Sequence, residues 1–457
     1  MPDLNKVDPS IDLTSAHEHQ DFSVLSKVAV AIMVIGFLIL SIAVFGPGAK
    51  YPKLFLFSSF GAIAFGSLAY TFLTYFLSPS GVKNNHITTS ALTAHGWLAW
   101  IMAVGLTGFY VIHYWWSHLF ENWYRMMDPL SFYVRGKQTE DWIFYGVLYT
   151  FGVLIMGIRA IVKYRHSRYQ IIRTCMVIFS QFFLAWLIPS LLVYFKEPEA
   201  YVNYFWPLSF KDGFPLHFQS LLQEPSIMAK FLIFWSLGLT FIGTPILTYY
   251  FGKRWYCSWV CGCGGLANTV GDPFRQNSSK KLISWKIERW MINSVLIFIV
   301  VSTGYIWYVA ATAGTLKINP ADHYLTKSYG FLIGMVFSGV VGTGFYPILG
   351  TRVWCRFGCP QAAILGFIQR FFSRFRITTN GGQCISCGNC SKYCEMGIDV
   401  RSYAERGANI VRASCVGCGM CATVCPRGVL NLENGPREGR INKPVSLSDI
   451  INFEEDK

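Results

Sequence analysis

The chain is short of charge. Only 14% of its 457 residues are Asp, Glu, Lys or Arg, against about 25% in an average soluble domain. Acid is the scarcer sign, 25 residues against 39 basic ones. So little charge excludes a disordered protein, a coiled coil and an ordinary soluble enzyme. Cysteine is missing from most of the sequence as well. Of 14 cysteines only Cys175 precedes position 257, and the other 13 fall between 257 and 425. A secreted disulfide scaffold would spread them, so this clustering reads as metal binding. There is no P-loop and no strand-borne dinucleotide fingerprint, and nothing points to ATP or NAD(P)H. The net charge of +14 would suit nucleic acid in a polar protein. In an apolar chain it fits Lys and Arg flanking membrane spans, and no nucleic-acid partner is expected.

What the chain has in abundance is apolar surface: 53% hydrophobic residues, 17% aromatic. Long apolar runs lie at 24–46, 54–78, 92–116, 142–162, 172–195, 228–250, 291–312 and 330–349. Each is long enough to cross a hydrocarbon core of about 30 Å, so eight helices in membrane lipid are expected. The first run follows an acidic, polar leader (1–23) and lacks a small-residue cleavage pattern, which reads as a span rather than a signal peptide. Lys163, Arg165, Arg168 and Arg173 mark one connection as cytoplasmic. Lys253, Arg254, Arg275, Lys280, Lys281, Lys286 and Arg289 mark another, and Arg352, Arg356, Arg370, Arg374 and Arg376 follow the last span. With eight spans this places both termini in the cytoplasm of an inner-membrane, multi-pass protein. The outward connection 196–227, with Tyr201, Tyr204, Phe205, Trp206 and Phe214, reads either as a segment lying on or dipping into the interface or, as the favoured reading, an interfacial aromatic belt. Arg159, near the inner end of the fourth span, is expected to snorkel, and Cys175 to fill core space. The dearth of acids inside spans argues against a proton pump or ion-coupled transporter.

Two repeats carry the chemistry. Cys384, Cys387, Cys390 and Cys394 form a C-x2-C-x2-C-x3-C run, repeated 31 residues later by Cys415, Cys418, Cys421 and Cys425. This is bacterial ferredoxin spacing, in which the fourth cysteine of each run ligates the other run's cluster. Cys384, Cys387, Cys390 and Cys425 should hold one [4Fe–4S] cluster, and Cys415, Cys418, Cys421 and Cys394 a second. Gly388, Gly417 and Gly419 give the loops the freedom to converge. The second run closes on Pro426, whereas the first has Glu395 at that place. The other repeat is G-x-R-x-aromatic-C-x3-C: Gly252, Arg254, Tyr256, Cys257, Cys261, and then Gly350, Arg352, Trp354, Cys355, Cys359. Cysteines four apart share a helical face or a tight turn, so the two pairs could meet at one centre. Cys263 is an extra thiol in the first copy, and Arg254 and Arg352 would favour thiolate. The species stays open here: a further iron–sulfur centre, another metal, or a dithiol pair.

From about 227 to 434 the sequence resembles the membrane polyferredoxins of the NapH/NosR type, with the CcoG-type cytochrome oxidase accessory proteins as relatives. The twelve cysteines at 257, 261, 355, 359 and in the two ferredoxin runs carry the likeness, as does Pro360. Gly262 stands where the first motif should have Pro, and five spans precede the matching part. The resemblance implies electron transfer between the quinone pool or a cytoplasmic donor and a membrane or periplasmic redox partner. The chain would then be one component of an oxidoreductase system such as a quinol dehydrogenase.

Histidine inside a membrane is a functional candidate by default. His95 and His113 share a face of the third span, 18 residues apart, as candidates for haem b or a quinone pocket. Their axial partners would come from His86 or His166, and from His217 or His323. The expected organisation is therefore a leader (1–23), a five-helix region (24–226) and a three-helix region with both C-x3-C motifs (227–376). A ferredoxin-like α+β domain (378–434) and a tail (435–457) complete it. The leading function is membrane-bound iron–sulfur electron transfer. The alternatives are a copper-reducing assembly factor working through Cys257, Cys261, Cys263, Cys355 and Cys359, and a redox-sensing regulator.

Overall fold

The computed structural model describes residues 23–77, 96–312 and 320–435. Among these residues are eight helices long and apolar enough to cross a membrane: α1 Val24–Ala43, α2 Pro52–Phe76, α3 Trp97–Trp115, α4 Asp141–Lys163, α5 Arg168–Tyr194, α6 Ile227–Phe251, α7 Leu282–Thr312 and α8 His323–Val341. With the C-terminal ferredoxin domain they make up the expected fold class. Helix α7 begins nine residues earlier than the apolar run, because its first turns carry Lys286, Glu288 and Arg289 and the pairing of Glu288 with Arg356 (3.0 Å) lets the acid sit buried. Helix α8 ends before the expected run does, and a turn leads into a separate short helix, Tyr346–Leu349.

Proline explains two local departures from the α-helix. Pro189 and Pro245 each follow a π-helical stretch, Ser180–Leu187 and Leu239–Gly243. Proline cannot donate to the carbonyl four residues back and its ring crowds that carbonyl, so the preceding turn widens. Hydroxyls add bonds to carbonyls of the same turns: Thr244 Oγ1 donates to Leu239 O (2.8 Å) and Ser190 Oγ to Trp186 O (2.7 Å).

The chain divides into two compact units. The first comprises Met1–Glu199, Gly265–Asn277 and Thr343–Thr351. Within it α1 packs on α2 through small residues seven apart, Ala29, Gly36 and Ala43. Arg159 does not snorkel. It is buried, with Nη1 3.3 Å from Asp272 Oδ2 and Nη2 donating to Tyr75 OH at 2.9 Å. Lys163 Nζ (2.7 Å), Tyr164 OH (2.7 Å) and Arg275 Nε (3.3 Å) complete the shell around that carboxylate. Burial alone would raise the Asp272 pKa, but Lys163, Arg275 and Arg159 overcome it and hold the group below the ordinary carboxylate range. The snorkelling expectation fails because the answering acid comes from a distant connection, invisible to a reading of one helix. Cys175 is exposed and is no core filler.

The second unit comprises Ala200–Gly264, Ser278–Gly342 and Arg352–Lys457. In it α6, α7, α8 and an amphipathic helix α9 (Pro360–Phe371) carry the ferredoxin lobe, whose strands β1 Arg376–Thr379 and β2 Leu430–Glu433 pair antiparallel from Arg376↔Glu433 to Thr379↔Leu430. Ile377 also bridges Ile410. One hydrophobic core runs through the unit, from Phe205 and Trp255 past the C-x3-C cysteines to Phe375, Ile398 and Val429. Phe205 and Phe214 are buried in protein rather than ranged at an interface as a belt would be.

Candidate metal centres

In the ferredoxin lobe Cys384, Cys387, Cys390 and Cys425 line one cavity together with Gly388 and Pro426. Burial, and next the neighbouring Cys387, Cys425 and Cys384, push the Cys390 thiol up to about 12, against the Ser391 N–H that it accepts. Cys421 is pushed well up by burial and then by Cys418, Cys415 and Cys394. Cys425 of the second run thus lies with the first run's Cys384, Cys387 and Cys390, and Cys394 of the first run stands within electrostatic reach of Cys421. Gly388, Gly417 and Gly419 all have positive φ (77°, 62° and 73°), the region open to glycine at low cost. Among the described residues, no three His, Cys, Asp or Glu side chains close on one point as a single ion would need. Four thiols around one volume, on glycine turns, suit a cubane.

The C-x3-C repeat is also a repeat in space. Gly252 and Gly350 turn the chain with φ 65° and 85°, each followed by a short helix, Arg254–Cys257 and Val353–Phe357. Cys261 N–H then donates to Tyr256 O (2.8 Å) and Cys359 N–H to Trp354 O (3.0 Å). Both pairs thus take the tight-turn option. Cys359 caps α9, accepting from Ala362 N–H at 3.4 Å, and Pro360 is the first residue of that helix. Cys257, Cys261, Cys355 and Cys359 share one buried cluster, with Cys263 packed against it. Burial pushes Cys257, Cys355 and Cys359 up. Cys261 moves the other way, held at about 7 by a hydrogen bond from Cys263, whose own thiol rises well above its ordinary value.

Electrostatics at this site come from three groups. Arg352, fully buried, places Nη1 3.7 Å from Cys355 Sγ and 3.1 Å from Cys257 O. Its Nε and Nη2 reach Glu395 Oε1 at 3.0 and 2.8 Å. Lys253, also fully buried, donates to Ala413 O (3.2 Å), and its charge bears on Cys257, Cys355 and Cys415. Arg254 lies instead over Phe375 (4.7 Å) and reaches Asn434 Oδ1 (2.9 Å). Gln369 bonds the motif to the ferredoxin loop, accepting from Lys253 N–H (2.6 Å) and donating to Arg412 O and Cys415 O (2.8 Å each). Sequence reasoning missed Lys253, Gln369 and the role of Glu395. Its one signal was Glu395 standing where the second run has Pro.

A cavity of about 440 Å³ adjoins this site. Its walls include Lys253 and Cys355 from the two C-x3-C copies, Trp285 and Glu288 from α7, Phe367 from α9 and Arg412 from the ferredoxin lobe. In the first unit, His113 is buried against Phe109, Trp142 and Tyr145, and its Nδ1 has no hydrogen-bond partner among the described residues. His95 and His86 lie outside the described residues. His217 faces Asp212 at 3.4 Å and His323 packs on Tyr324.

A 4Fe–4S dicluster domain model matches residues 383–430, and a 4Fe–4S binding domain model matches 233–281 and 330–378. Each of the latter segments holds one C-x3-C copy. Among curated proteins, YccM of Escherichia coli (strain K12), provisionally named an electron transport protein, is 24% identical over 195 residues, 39% of this chain and 49% of that protein. MauN of Methylobacillus flagellatus, named a methylamine utilization ferredoxin-type protein, is 25% identical over 167 residues, 34% of this chain and 53% of that protein. MJ0749 of Methanocaldococcus jannaschii, named only as uncharacterized, is 26% identical over 159 residues, 34% and 56%. The chain thus spans about half the length of the curated relatives it matches. No solved structure matches it. What the chain carries is 4Fe–4S ferredoxin-type domains on a multi-pass membrane body.

Proposed function

We propose that this protein is a membrane-bound iron–sulfur electron carrier of the NapH/NosR polyferredoxin type, with both termini cytoplasmic. It would exchange electrons with quinone or a cytoplasmic donor on one side and a membrane or periplasmic redox protein on the other. Cys384, Cys387, Cys390 and Cys425 hold the first cluster; Cys415, Cys418, Cys421 and Cys394 hold the second. Cys257, Cys261, Cys355 and Cys359 hold a third iron–sulfur centre. Such clusters, when bound, supply one-electron storage at a potential set by burial and by hydrogen bonds to sulfur.

The single observation behind this reading is the chain of contacts from one thiol set to the next. Arg352 touches Cys355 and Cys257 and ion-pairs with Glu395, the residue after Cys394. Lys253, of the first copy, and Gln369, on α9, bind the loop that leads into Cys415. These contacts hold the C-x3-C thiols beside the loops that carry Cys394 and Cys415. The cavity reaching Cys355 is of a size that takes small ligands, and a quinone head group fits its aromatic, cationic lining. Iron analysis tests the assignment: anaerobically purified protein should hold about twelve iron atoms per chain, three cubanes' worth, and C355S/C359S about eight. Protein free of iron and acid-labile sulfide would refute it.

One observation favours a second reading, metal handling by exchangeable thiols. Cys263 is a fifth thiol hydrogen-bonded to Cys261, more than a cubane requires. Copper bound stoichiometrically to wild type but not to C263S, with iron unchanged, would support it.

A further inference from the structure

Residues 200–213 begin the second unit and run ahead of α6, on a path that the aromatic-belt expectation did not foresee. Val202 O accepts from Trp235 Nε1 (2.8 Å) and Trp206 O from Thr240 Oγ1 (3.2 Å). At about 1.5 Å per residue, Trp235 and Thr240 stand roughly 12 Å and 20 Å along α6 from Ile227. Helix α7 gives the same answer. Trp206 Nε1 meets Thr303 Oγ1 at 3.1 Å, and Gly213 O accepts from Trp307 Nε1 at 2.8 Å, nearer the Thr312 end. The segment therefore descends from the Ile227 end of the spans to about their middle and returns. The ferredoxin lobe lies at the other end, where Arg374 N–H donates to Tyr249 O (2.8 Å) near the close of α6.

On its way in, the segment meets the first cysteine motif. Asn203 O accepts from Tyr256 OH (2.8 Å), and Phe205 stacks on Trp255 (centroids 6.4 Å, 9°) and meets Tyr256 edge-on (5.2 Å). Tyr204 lies within electrostatic reach of Cys263, Cys261 and Cys359, and its ring is 6.2 Å from that of Tyr201, which is 39% exposed. Largely non-helical backbone at this depth is tolerated only where protein or a cavity covers it, so a fold bears it for a use.

We propose that residues 200–213 are a re-entrant limb that closes the C-x3-C site from the face opposite the ferredoxin lobe and carries electrons out along Tyr204 and Trp206. The recipient is a one-electron carrier protein, haem or iron–sulfur, docked at the Ile227 end. One electron leaves the cysteine-held centre and one arrives on the carrier; no bond changes and no proton moves. This rests on the iron–sulfur reading above.

The test uses full-length protein in proteoliposomes that enclose ferricyanide, with dithionite added outside. Wild type should bleach the enclosed ferricyanide, Y204L/W206L should slow bleaching several-fold at unchanged iron content, and Y204F/W206F should restore it. A rate unaltered in Y204L/W206L, or no bleaching by wild type at full iron, overturns the proposal. Wild type lacking iron would instead sink the reading beneath it, and the iron count tells the two failures apart. A readout independent of electron flow is hydrogen exchange in nanodiscs: amides 202–206 should exchange as slowly as those of α6, and fast exchange there overturns the limb itself.

Discussion

Neutralising Glu395 isolates one charge at the junction of two thiol sites. Glu395→Gln keeps an oxygen that can accept from Arg352, so the hydrogen bonds survive and only the ion pair is lost. Both side chains are 0% exposed and 2.8 Å apart, and the variant leaves a buried guanidinium without its counter-charge. Stranding one partner of a buried pair costs about 3–5 kcal/mol, and the lower end applies here because Cys257 O and Cys355 Sγ remain near the cation. At about 2–4 °C per kcal/mol for a body of this size, roughly 10 °C should come off the unfolding midpoint. The assay is tryptophan fluorescence on heating, for wild type, E395Q, R352Q and R352Q/E395Q in one detergent. The double variant buries no charge and should lose less than the two singles together. Potentials give a second readout with opposite signs. A reduced cluster is the more negative state, so removing Glu395 should raise the potential of the cluster beside Cys394. Removing Arg352 should lower that of the centre beside Cys355. An E395Q midpoint within about 2 °C of wild type, or a strictly additive double variant, would refute the reasoning.

The crossed fourth cysteines make a separate claim. C394S should perturb the reduced-cluster EPR signal of the set at 415–421, and C425S that of the set at 384–390; effects confined to each cysteine's own run would contradict the crossing. D272N strands Arg159, Lys163 and Arg275 around a neutral amide and should cost about 3–5 kcal/mol, read as a lower midpoint. The pH dependence follows from its sign. The folded-state pKa of Asp272 lies below its unfolded value, so its contribution is full above the ordinary carboxylate range and fades as pH falls through and below it. Wild type should therefore lose midpoint below about pH 4 more steeply than D272N, as a heating series from pH 7 to pH 3 would show.

What could be read ahead of the structure was whatever repeats locally. Apolar length gives the spans because crossing hydrocarbon is a one-dimensional demand, met residue by residue along each helix. Cysteine spacing gives the 4Fe–4S domain because three ligands to one cubane must come from adjacent turns. The C-x3-C pairs announced themselves as a duplicate, and Gly252 and Gly350 show why: both copies need a positive-φ turn before the short helix. Pairings across long stretches of chain were closed to that kind of reading. Asp272 answers a cation 113 residues away, and Glu395 one 43 residues away. Each acid looks ordinary in its own neighbourhood, and only the assembled unit shows that it is the sole carboxylate an interior arginine meets in the ion pairs described.

The same limit explains the misjudged connection 196–227. A run of aromatic residues between two spans looks like an interfacial belt to any method that weighs composition, since tryptophan and tyrosine suit the headgroup region. Depth is not encoded in composition. It is set by which span residues offer hydrogen bonds, and Trp235, Thr240, Thr303 and Trp307 offer theirs inward, toward backbone and side-chain groups of the segment. Two of those four are indole donors, which in a bare span would be expected near an interface. Trp235 stands roughly 12 Å inside α6, where its N–H would be costly without Val202 O, and Val202 O would be as costly without it. Each group thus makes the other's depth tolerable. A tryptophan or threonine well inside an apolar run is therefore a better sign of re-entrant chain than the aromatic content of the loop itself.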